Sequence, residues 1–298
     1  MEEGKNNVIF AACKNTEMQI ENYQLYKHAW ISTSDPSLEQ RLLPADCHQL
    51  LQRGGWLVRN VYNFDSKEPT DFWYVIKDKF GGIEEIPSKY RNNVRKALSY
   101  YNIRRCSKEY LVQNAYKVYV AAAESYKIKT KIMTLSQFQA VLQHQGPQWQ
   151  YWMAEDSQTH QIAAFSMNKV NDVSCNYSVL KAIPSHMKEH SVYYGLIFEM
   201  NRYYLQECGL QYVNDGARSV SNHSDIQGFL MSKFRFRKAY CNICITYQPW
   251  LKYVVRILFP FRKYVMHKGL RALLNMESMQ RNTKHEQSKS DAIKENGI

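Results

Sequence analysis

The clearest hydrophobic periodicity lies between Trp149 and Thr246, where strand-like and helix-like segments follow one another. Three strand-like segments come first, at 149–154, 162–168 and 173–180, and the polar stretch between the first two favours a hairpin. The third strand alternates strictly, which gives it one apolar and one polar face. Its polar face, which could line a cleft, carries Ser174, Asn176 and Ser178.

The pattern then changes to a period of about 3.6 residues. An apolar stripe predicts a helix over 192–208, and Gly209 suits its left-handed end. A short strand at 212–215 and a helix at 224–233, capped by Ser221 or Asn222, come next. The segment 239–246 alternates again and predicts a final strand, which places Cys241 and Cys244 on opposite faces.

The N-terminal half is also mixed. A short helix at 45–52 precedes aromatic and β-branched strands beginning at Trp56 and Phe72. Three further helices are predicted, at 88–101, 110–126 and from Thr134, where Thr134 and Gln137 have the spacing of a capping box. The helix at 88–101 buries one face and presents cations on the other.

Composition limits the class of protein. The chain has 298 residues, a formal net charge of +12 and a pI near 9.2, enough for one large domain or two small ones. The start MEEGKNN leads into no apolar stretch, and no run of about 18 uncharged apolar residues exists, so we expect a cytoplasmic protein without a spanning helix. Seven scattered cysteines indicate reduced thiols, and no second ligand pair follows Cys241 and Cys244, so no metal site is expected.

Three local patterns resemble the GNAT superfamily of acyltransferases, and within it the FemAB-like branch that modifies cell-wall and polysaccharide precursors. KYRNNVRKALSYYNI (Lys89–Ile103) looks like the basic helix that opens the FemAB-like transfer domain. CGLQYVNDG (Cys208–Gly216) is similar to the helix end and acidic strand before the family's cleft loop. FLMSKFRF (Phe229–Phe236) resembles the Lys-x-x-Phe-Gly-Phe ending, with Arg235 where glycine is usual.

The resemblance and the element order together predict an α+β fold with a GNAT-like mixed, mostly antiparallel sheet flanked by helices. We expect an N-terminal partial lobe at 1–85, the acyltransferase domain at 86–247, a basic amphipathic segment at 248–275 and a disordered tail at 276–298. A wedge-shaped opening in the sheet should lie beside the Asn214–Ser219 turn.

The resemblance also locates a donor loop at KEHSVYYG. Acetyl-CoA-binding members cradle the pyrophosphate on backbone amides at a helix N-terminus. Here the family's glycines survive only at Gly195, and Tyr193 has a Cβ where the backbone should approach phosphate. No tightly bound cofactor is expected, and the donor stays open between acyl-CoA and aminoacyl-tRNA, because a basic chain also suits a polyanion. The donor-binding candidates are His190, Ser191, Tyr193 and Gly195.

Acyl transfer needs an acceptor that loses a proton and donors that stabilise an oxyanion. Asp215 is the first candidate base, because it ends a strand beside a predicted cleft loop; the alternative is a simple Asp-Gly turn. His223 is the second candidate, although a histidine beside a helix cap is often only a surface residue. Arg91 and Arg95 lie one helical turn apart and either clamp a phosphate or form a solvated helix face. The predicted substrate-binding residues are Arg91, Arg95, Tyr177, Asn214, Arg218 and Ser219.

The segment 249–274 mixes large apolar and basic residues and contains Pro260, so it predicts a kinked, basic amphipathic helix. It either lies on an anionic membrane surface or packs on the domain or a partner subunit. Membrane apposition would suit a lipid-linked acceptor and would make a cytoplasmic enzyme peripheral to the inner face of the membrane.

Three functions are compatible with these patterns. The first is transfer of an acyl or aminoacyl group to an amine or hydroxyl of a cell-envelope or polysaccharide precursor, with tRNA as a partner when the donor is aminoacyl-tRNA. The second is a non-catalytic RNA- or membrane-binding module on a decayed transferase fold. The third is a small-molecule N-acetyltransferase that uses acetyl-CoA.

Overall fold

The computed structural model describes residues 20–126, 131–218 and 226–295, and they group into two compact units. The central unit comprises 74–217 and 226–238 within those ranges, and the terminal unit comprises 20–73, 218 and 239–295. The domain boundaries predicted from the sequence stay predictions, because contacts within each unit do not test independent folding.

The central unit contains most of the regular structure. Its strands are β4 (Phe72–Lys77, from Tyr74 onward), β5 (Tyr101–Cys106), β6 (Trp149–Asp156), β7 (Ile162–Val170), β8 (Ser174–Ala182) and β9 (Tyr212–Ala217). Its helices are α2 (Ser88–Tyr100), α3 (Lys108–Asn114), α4 (Tyr116–Glu124), α5 (Leu135–Gln143), α6 (Pro184–Glu189), α7 (Val192–Asn201) and α8 (Ile226–Phe234). A π-helix, Arg202–Glu207, continues α7.

These strands form a mixed sheet in the order β4-β9-β8-β7-β6-β5. All neighbours are antiparallel except β8 and β9, which are parallel. A parallel pair cannot be joined by a tight turn, and here α6 and α7 form the crossover. The predicted α+β class, with a mostly antiparallel sheet flanked by helices, is confirmed.

Helices cover both faces of the central sheet. On one face α3, α4 and α5 bury Leu111, Val118 and Phe138 against Met153 of β6 and Phe165 of β7. On the other face α7 packs on β5, β6 and β7 and against α2. The alternation of β6 explains the two layers, since neighbouring side chains of a strand point to opposite faces.

A buried polar cluster fastens the π-helix to the sheet. The hydroxyl of the fully buried Tyr204 accepts hydrogen bonds from Trp152 Nε1 at 2.9 Å and Asn168 Nδ2 at 3.3 Å, and donates to Gln150 Oε1 at 3.2 Å. An unpaired polar group at this depth would be costly, so the cluster fixes the position of the helix end on the sheet.

The terminal unit has its own strands in the order β1-β2-β3-β10, in which only β2 and β3 are parallel. A small core lies under them and includes Leu42, Leu50 and Val58. The elements are β1 (Tyr23–Tyr26), β2 (Ala29–Ser32), α1 (Pro44–Gln52), β3 (Leu57–Ser66), β10 (Arg237–Tyr247, from Ala239), α9 (Pro249–Leu258) and α10 (Lys268–Glu295).

The C-terminal segment has a kink near Pro260, as the sequence predicts: α9 ends at Leu258 and a 3-10 turn covers Phe259–Phe261. The sequence predicts a disordered tail from Met276, and this stays a prediction. In α10, Leu274, Met279 and Thr283 are buried, and the backbone amide of Ile245 donates to the Gln280 side chain. Hydropathy alone does not predict this helix, because polar groups make part of its contacts.

Most predicted elements are confirmed, including the capping box of Thr134 and Gln137 and the left-handed Gly209. The predicted helix 110–126 is two helices that meet at Ala115. The sequence patterns did not reveal β1, β2, β5 or α6, which are short and lack a clear period. No helix in the described part of the chain is both long enough and apolar enough to cross a membrane.

The polar cluster predicts a contrast between two adjacent tyrosines. Tyr204→Phe leaves Trp152 Nε1 and Asn168 Nδ2 without their shared acceptor, so the free energy of unfolding should fall by about 1–3 kcal/mol. Tyr203→Phe is the matched control, because the Tyr203 hydroxyl makes an exposed contact with Arg105, and its effect should stay within about 0.5 kcal/mol. Urea titration followed by circular dichroism measures both; equal losses would contradict the role of the cluster.

Candidate functional site

The parallel strands β8 and β9 pair only at their beginnings. Their register runs Ser174↔Tyr212, Cys175↔Val213 and Asn176↔Asn214, and it stops there although β8 continues to Ala182 and β9 to Ala217. Beyond that point β8 pairs with β7, and β9 pairs with β4 through Ala217 and Tyr74. The two strands therefore separate into a wedge within the central sheet.

Side chains hold the apex of this wedge. Asn176 Nδ2 donates to Asn214 Oδ1 at 2.5 Å, and the same oxygen accepts the Gly216 amide at 3.0 Å. Gly216 has a φ of 79°, a left-handed conformation that favours glycine. The predicted substrate residue Asn214 is buried and structural in these contacts, and it fixes the turn on which the next residue lies.

A pocket of about 720 Å³ fills the opening of the wedge, and its volume lies in the usual range for small-molecule sites. Every residue that lines it belongs to the central unit. The lining comprises Ala122, Ser125, Tyr126, Asn176–Ala182, Met187, Tyr193, Asp215, Gly216, Ile226 and Phe229.

Asp215 is the carboxylate of this pocket. Burial raises its pKa to about 7, because desolvation disfavours the charged form, while a hydrogen bond from the Gln227 side chain acts in the opposite direction. Gln227 Nε2 also donates to the backbone oxygens of Asp215 and Ala217, at 3.4 and 3.0 Å. A carboxyl group that titrates near neutral pH in a pocket is suited to general base catalysis.

Another part of the pocket wall combines one cation with aromatic rings. Lys181 Nζ donates to the Tyr126 hydroxyl at 2.5 Å and lies 4.7 Å from the centre of that ring. Tyr193, a predicted donor residue, also lines the pocket, and burial raises the pKa of its hydroxyl well above its usual range. The wall can therefore contact both apolar and anionic parts of a ligand.

Tyr177 also lines the pocket, but its hydroxyl is directed towards α7. Its side chain is only 3% exposed, and its hydroxyl donates to Asn201 Oδ1 of α7 at 2.9 Å. Burial raises its pKa well above the usual range, so the hydroxyl stays protonated. This arrangement gives Tyr177 a packing role in positioning α7.

The predicted donor loop packs differently from a phosphate cradle. His190 stacks on the Tyr100 ring at 3.8 Å, and Ser191 has a left-handed φ of 56°. Gly195 lies inside α7, where a Cβ would come within 2.6 Å of Ile103 Cδ1 and 2.9 Å of Ala97 Cβ. The glycine that matches the family pattern therefore permits close packing of α7 on α2 and β5. This is a different role from the close approach of the backbone to a pyrophosphate that the resemblance implies.

The predicted arginines lie outside the pocket lining. Arg91 is held by the backbone oxygens of Ile86 and Glu84 and pairs with the Glu84 carboxylate at 2.6 Å. Arg95 is exposed on α2. Arg218, in the terminal unit, lies 4.2 Å over the Trp73 ring and donates to the Asp71 backbone oxygen at 2.7 Å. Arg91 therefore contacts its own loop, and its predicted role in binding a phosphate stays a prediction.

Two predicted residues, His223 and Ser219, lie outside the described residues. Among the described residues, no group of His, Cys, Asp and Glu is arranged to hold a metal ion. The polar face predicted for the third strand does contribute Asn176 and Ser178 to the pocket.

Sequence reasoning missed Lys181, Tyr126 and Gln227. Lys181 and Tyr126 are 55 positions apart, and only the packing of α4 near β8 brings them together. Gln227 lies within the predicted helix 224–233, but no local pattern shows that its amide reaches the end of β9.

The raised pKa of Asp215 predicts a pH-dependent cost in stability. The folded-state pKa exceeds the unfolded value near 3.8, so the buried carboxyl costs nothing below that value and destabilises progressively as the pH rises to about 7. Asp215→Asn should therefore raise the free energy of unfolding relative to the native protein at pH 8, by up to about 4 kcal/mol, and much less at pH values near 4. Thermal unfolding across this pH range measures the difference, with Asp172→Asn at an exposed turn as the control substitution. A difference that is independent of pH would contradict the burial.

Comparison with known proteins gives structural likeness only. No family model matches the sequence, and no curated protein matches it. Among solved structures, the chain is similar to FemX at 9% identity and a TM-score of 0.49, over 70% of each chain. It is similar to the C-terminal domain of a putative lysylphosphatidylglycerol synthetase from Agrobacterium fabrum at 9% identity and a TM-score of 0.49, over 79% of this chain and 82% of that chain.

A third solved structure, L-PGS from Bacillus licheniformis, is 10% identical with a TM-score of 0.44, over 78% of this chain and 76% of that one. A tandem GNAT protein from the clavulanic acid biosynthesis pathway is also similar, at 10% identity and a TM-score of 0.37, over 68% of this chain and 67% of that one.

Proposed function

We propose that the protein is an acyltransferase whose reaction takes place in the wedge between β8 and β9, with Asp215 as the general base. The observation that carries the proposal is the combination of an opened parallel strand pair and, at its edge, a partly buried carboxyl group whose pKa is raised to about 7. An isolated Asp-Gly turn on a surface would have neither the pocket nor the desolvated carboxyl.

The reaction needs one proton transfer and one acyl transfer. The Asp215 carboxylate accepts a proton from the acceptor's amine or hydroxyl as that nitrogen or oxygen attacks the donor's carbonyl carbon. The tetrahedral intermediate then expels the leaving group, a thiolate or a ribose alkoxide, which takes the proton back from Asp215. The bond from the carbonyl carbon to the acceptor forms first, the bond to the leaving group breaks when the intermediate collapses, and Asp215 ends the cycle ionised.

The oxyanion of that intermediate needs donors that are already in place. β8 continues past Asn176 along the wedge, and its backbone amides there pair with no residue of β9. Asn176 Nδ2 lies at the apex with one hydrogen bond to Asn214, which leaves its second N–H for a ligand. We assign the oxyanion to this edge of β8.

The donor follows from the shape of the α7 start. Gly195 faces Ile103 and Ala97 in the helix packing, and Tyr193 carries a Cβ that keeps a phosphate away from the backbone. The start of α7 therefore does not favour binding of a pyrophosphate by backbone amides. We therefore propose aminoacyl-tRNA as the donor, with acyl-CoA as the alternative, and no tightly bound cofactor. As acceptor we propose an amine or hydroxyl of a cell-envelope or polysaccharide precursor, which rests on the resemblance of the three sequence motifs.

A donor panel tests the proposal. Purified protein is incubated with labelled aminoacyl-tRNAs and acyl-CoAs and with amine and hydroxyl acceptors from envelope and polysaccharide precursors, and the transferred label is measured. Asp215→Asn should reduce kcat/KM by about 10²- to 10⁴-fold, because the proton acceptor is lost. Asp172→Asn, at an exposed turn of the same unit, should leave the rate unchanged.

The pH profile provides a second readout. A base with a pKa of about 7 is protonated and inactive below that value, so kcat/KM should rise about tenfold per pH unit up to about pH 7 and then level off. Transfer from acetyl-CoA alone would favour the small-molecule acetyltransferase. Absence of transfer from every donor, or full activity of Asp215→Asn, would contradict the proposed reaction.

A further inference from the structure

The terminal unit carries an exposed apolar surface centred on α9. In α9 the side chains of Trp250, Tyr253, Val254 and Ile257 are 36–67% exposed, and their i, i+3, i+4, i+7 spacing places them on one face of the helix. Leu251 and Val255 are buried on a second face, which holds the helix on its unit. An ordinary surface helix has one apolar face, whereas α9 has a second one that faces solvent.

Aromatic side chains extend this surface beyond the helix. Trp56, which is 47% exposed, meets the Trp250 ring edge-on at 5.7 Å, and its other contact is a stack with His28 at 4.2 Å. After α9, Phe261, Tyr264 and Met266 are 59–85% exposed. We call the set of Trp56, Trp250, Tyr253, Val254, Ile257, Phe261, Tyr264 and Met266 the aromatic surface.

The segment that carries most of the aromatic surface has charges of a single sign. The stretch from Pro249 to Met276 contains six lysines and arginines and no aspartate or glutamate. Lys252 and Arg256 lie one turn apart on the third face of α9, and both are exposed. A partner that covers this surface must therefore accept apolar and aromatic groups and also present negative charge.

We propose that the aromatic surface docks this protein onto an anionic lipid bilayer, with α9 lying in the plane of the interface. Tyrosine and tryptophan concentrate at the boundary between headgroups and acyl chains, and flanking cations bind anionic headgroups. The 10 residues of α9 are about 15 Å long, roughly half the hydrocarbon thickness, so the helix lies on the bilayer. This inference is independent of the transfer reaction.

Vesicle flotation tests the docking. The full chain is mixed with vesicles of phosphatidylcholine alone or with roughly one third phosphatidylglycerol, at low and at about 0.5 M salt. We expect binding to the anionic vesicles that weakens but persists at high salt, since burial of the apolar groups is not screened. No binding to the anionic vesicles would overturn the proposal.

Two sets of variants separate the contributions. Tyr253→Ser with Ile257→Ser should weaken binding at least tenfold at both salt concentrations, whereas Leu38→Ser with Val141→Ser, at exposed apolar positions outside the aromatic surface, should leave it unchanged. Lys252→Gln with Arg256→Gln should weaken binding about 5-fold per cation at low salt, against Lys117→Gln with Lys188→Gln as the exposed control. The substituted residues are exposed, so unfolding midpoints should match the native protein.

Three results would overturn the proposal, the first two of them in favour of another occupant. In the first result, Tyr253→Ser with Ile257→Ser binds vesicles as tightly as the native protein does, and Lys252→Gln with Arg256→Gln weakens binding to vesicles and to RNA by the same factor. The surface is then a site for polyanions in general. If sedimentation shows a dimer that Tyr253→Ser with Ile257→Ser dissolves, the surface is an interface between copies. If brominated lipid quenches tryptophan fluorescence equally in the native protein and in Trp250→Phe, Trp250 does not enter the bilayer.

Discussion

The site depends on the point at which β8 and β9 stop pairing. Parallel strands normally continue their ladder as far as both chains extend, because each unpaired backbone group loses a hydrogen bond. Here the ladder ends at Asn176 and Asn214, and a side-chain bond between these two residues closes it. Each strand then pairs with its other neighbour, so the sheet keeps its continuity on both sides while a pocket opens between.

The burial of Asp215 follows from this geometry. Asn214 Oδ1 and the left-handed Gly216 fix the local backbone, so the carboxyl group lies at the edge of the pocket instead of in bulk water. Desolvation then raises its pKa towards neutrality. The Asp-Gly pair lies inside β9, where the register with β4 shifts, so the simple turn that the pair also suggested is not what the structure shows.

The wall of the pocket is positioned by residues that take no part in the proposed reaction. Gly195 lets α7 approach α2 and β5, the Tyr177 hydroxyl bonds to Asn201, and the Tyr204 cluster secures the end of the same helix. These contacts place Tyr193 at the pocket.

The exposed face of α9 in the terminal unit differs from these packed surfaces, since it is large and apolar and no described residue of its own unit covers it.

The sequence alone determined most of the element order from Trp149 to Thr246, with the exception of α6, and also the cap at Thr134, the left-handed Gly209 and Asp215 as a carboxylate near the end of β9, because period, capping and turn chemistry are local. The short strands β1, β2 and β5 have too few residues to show a period, and polar residues make part of the contacts of α10. Only the tertiary structure decided that β8 and β9 separate, that Lys181 meets Tyr126, and that Arg91 contacts its own loop. Register, desolvation and contacts between residues distant in the chain depend on how the layers pack, and no local pattern encodes them.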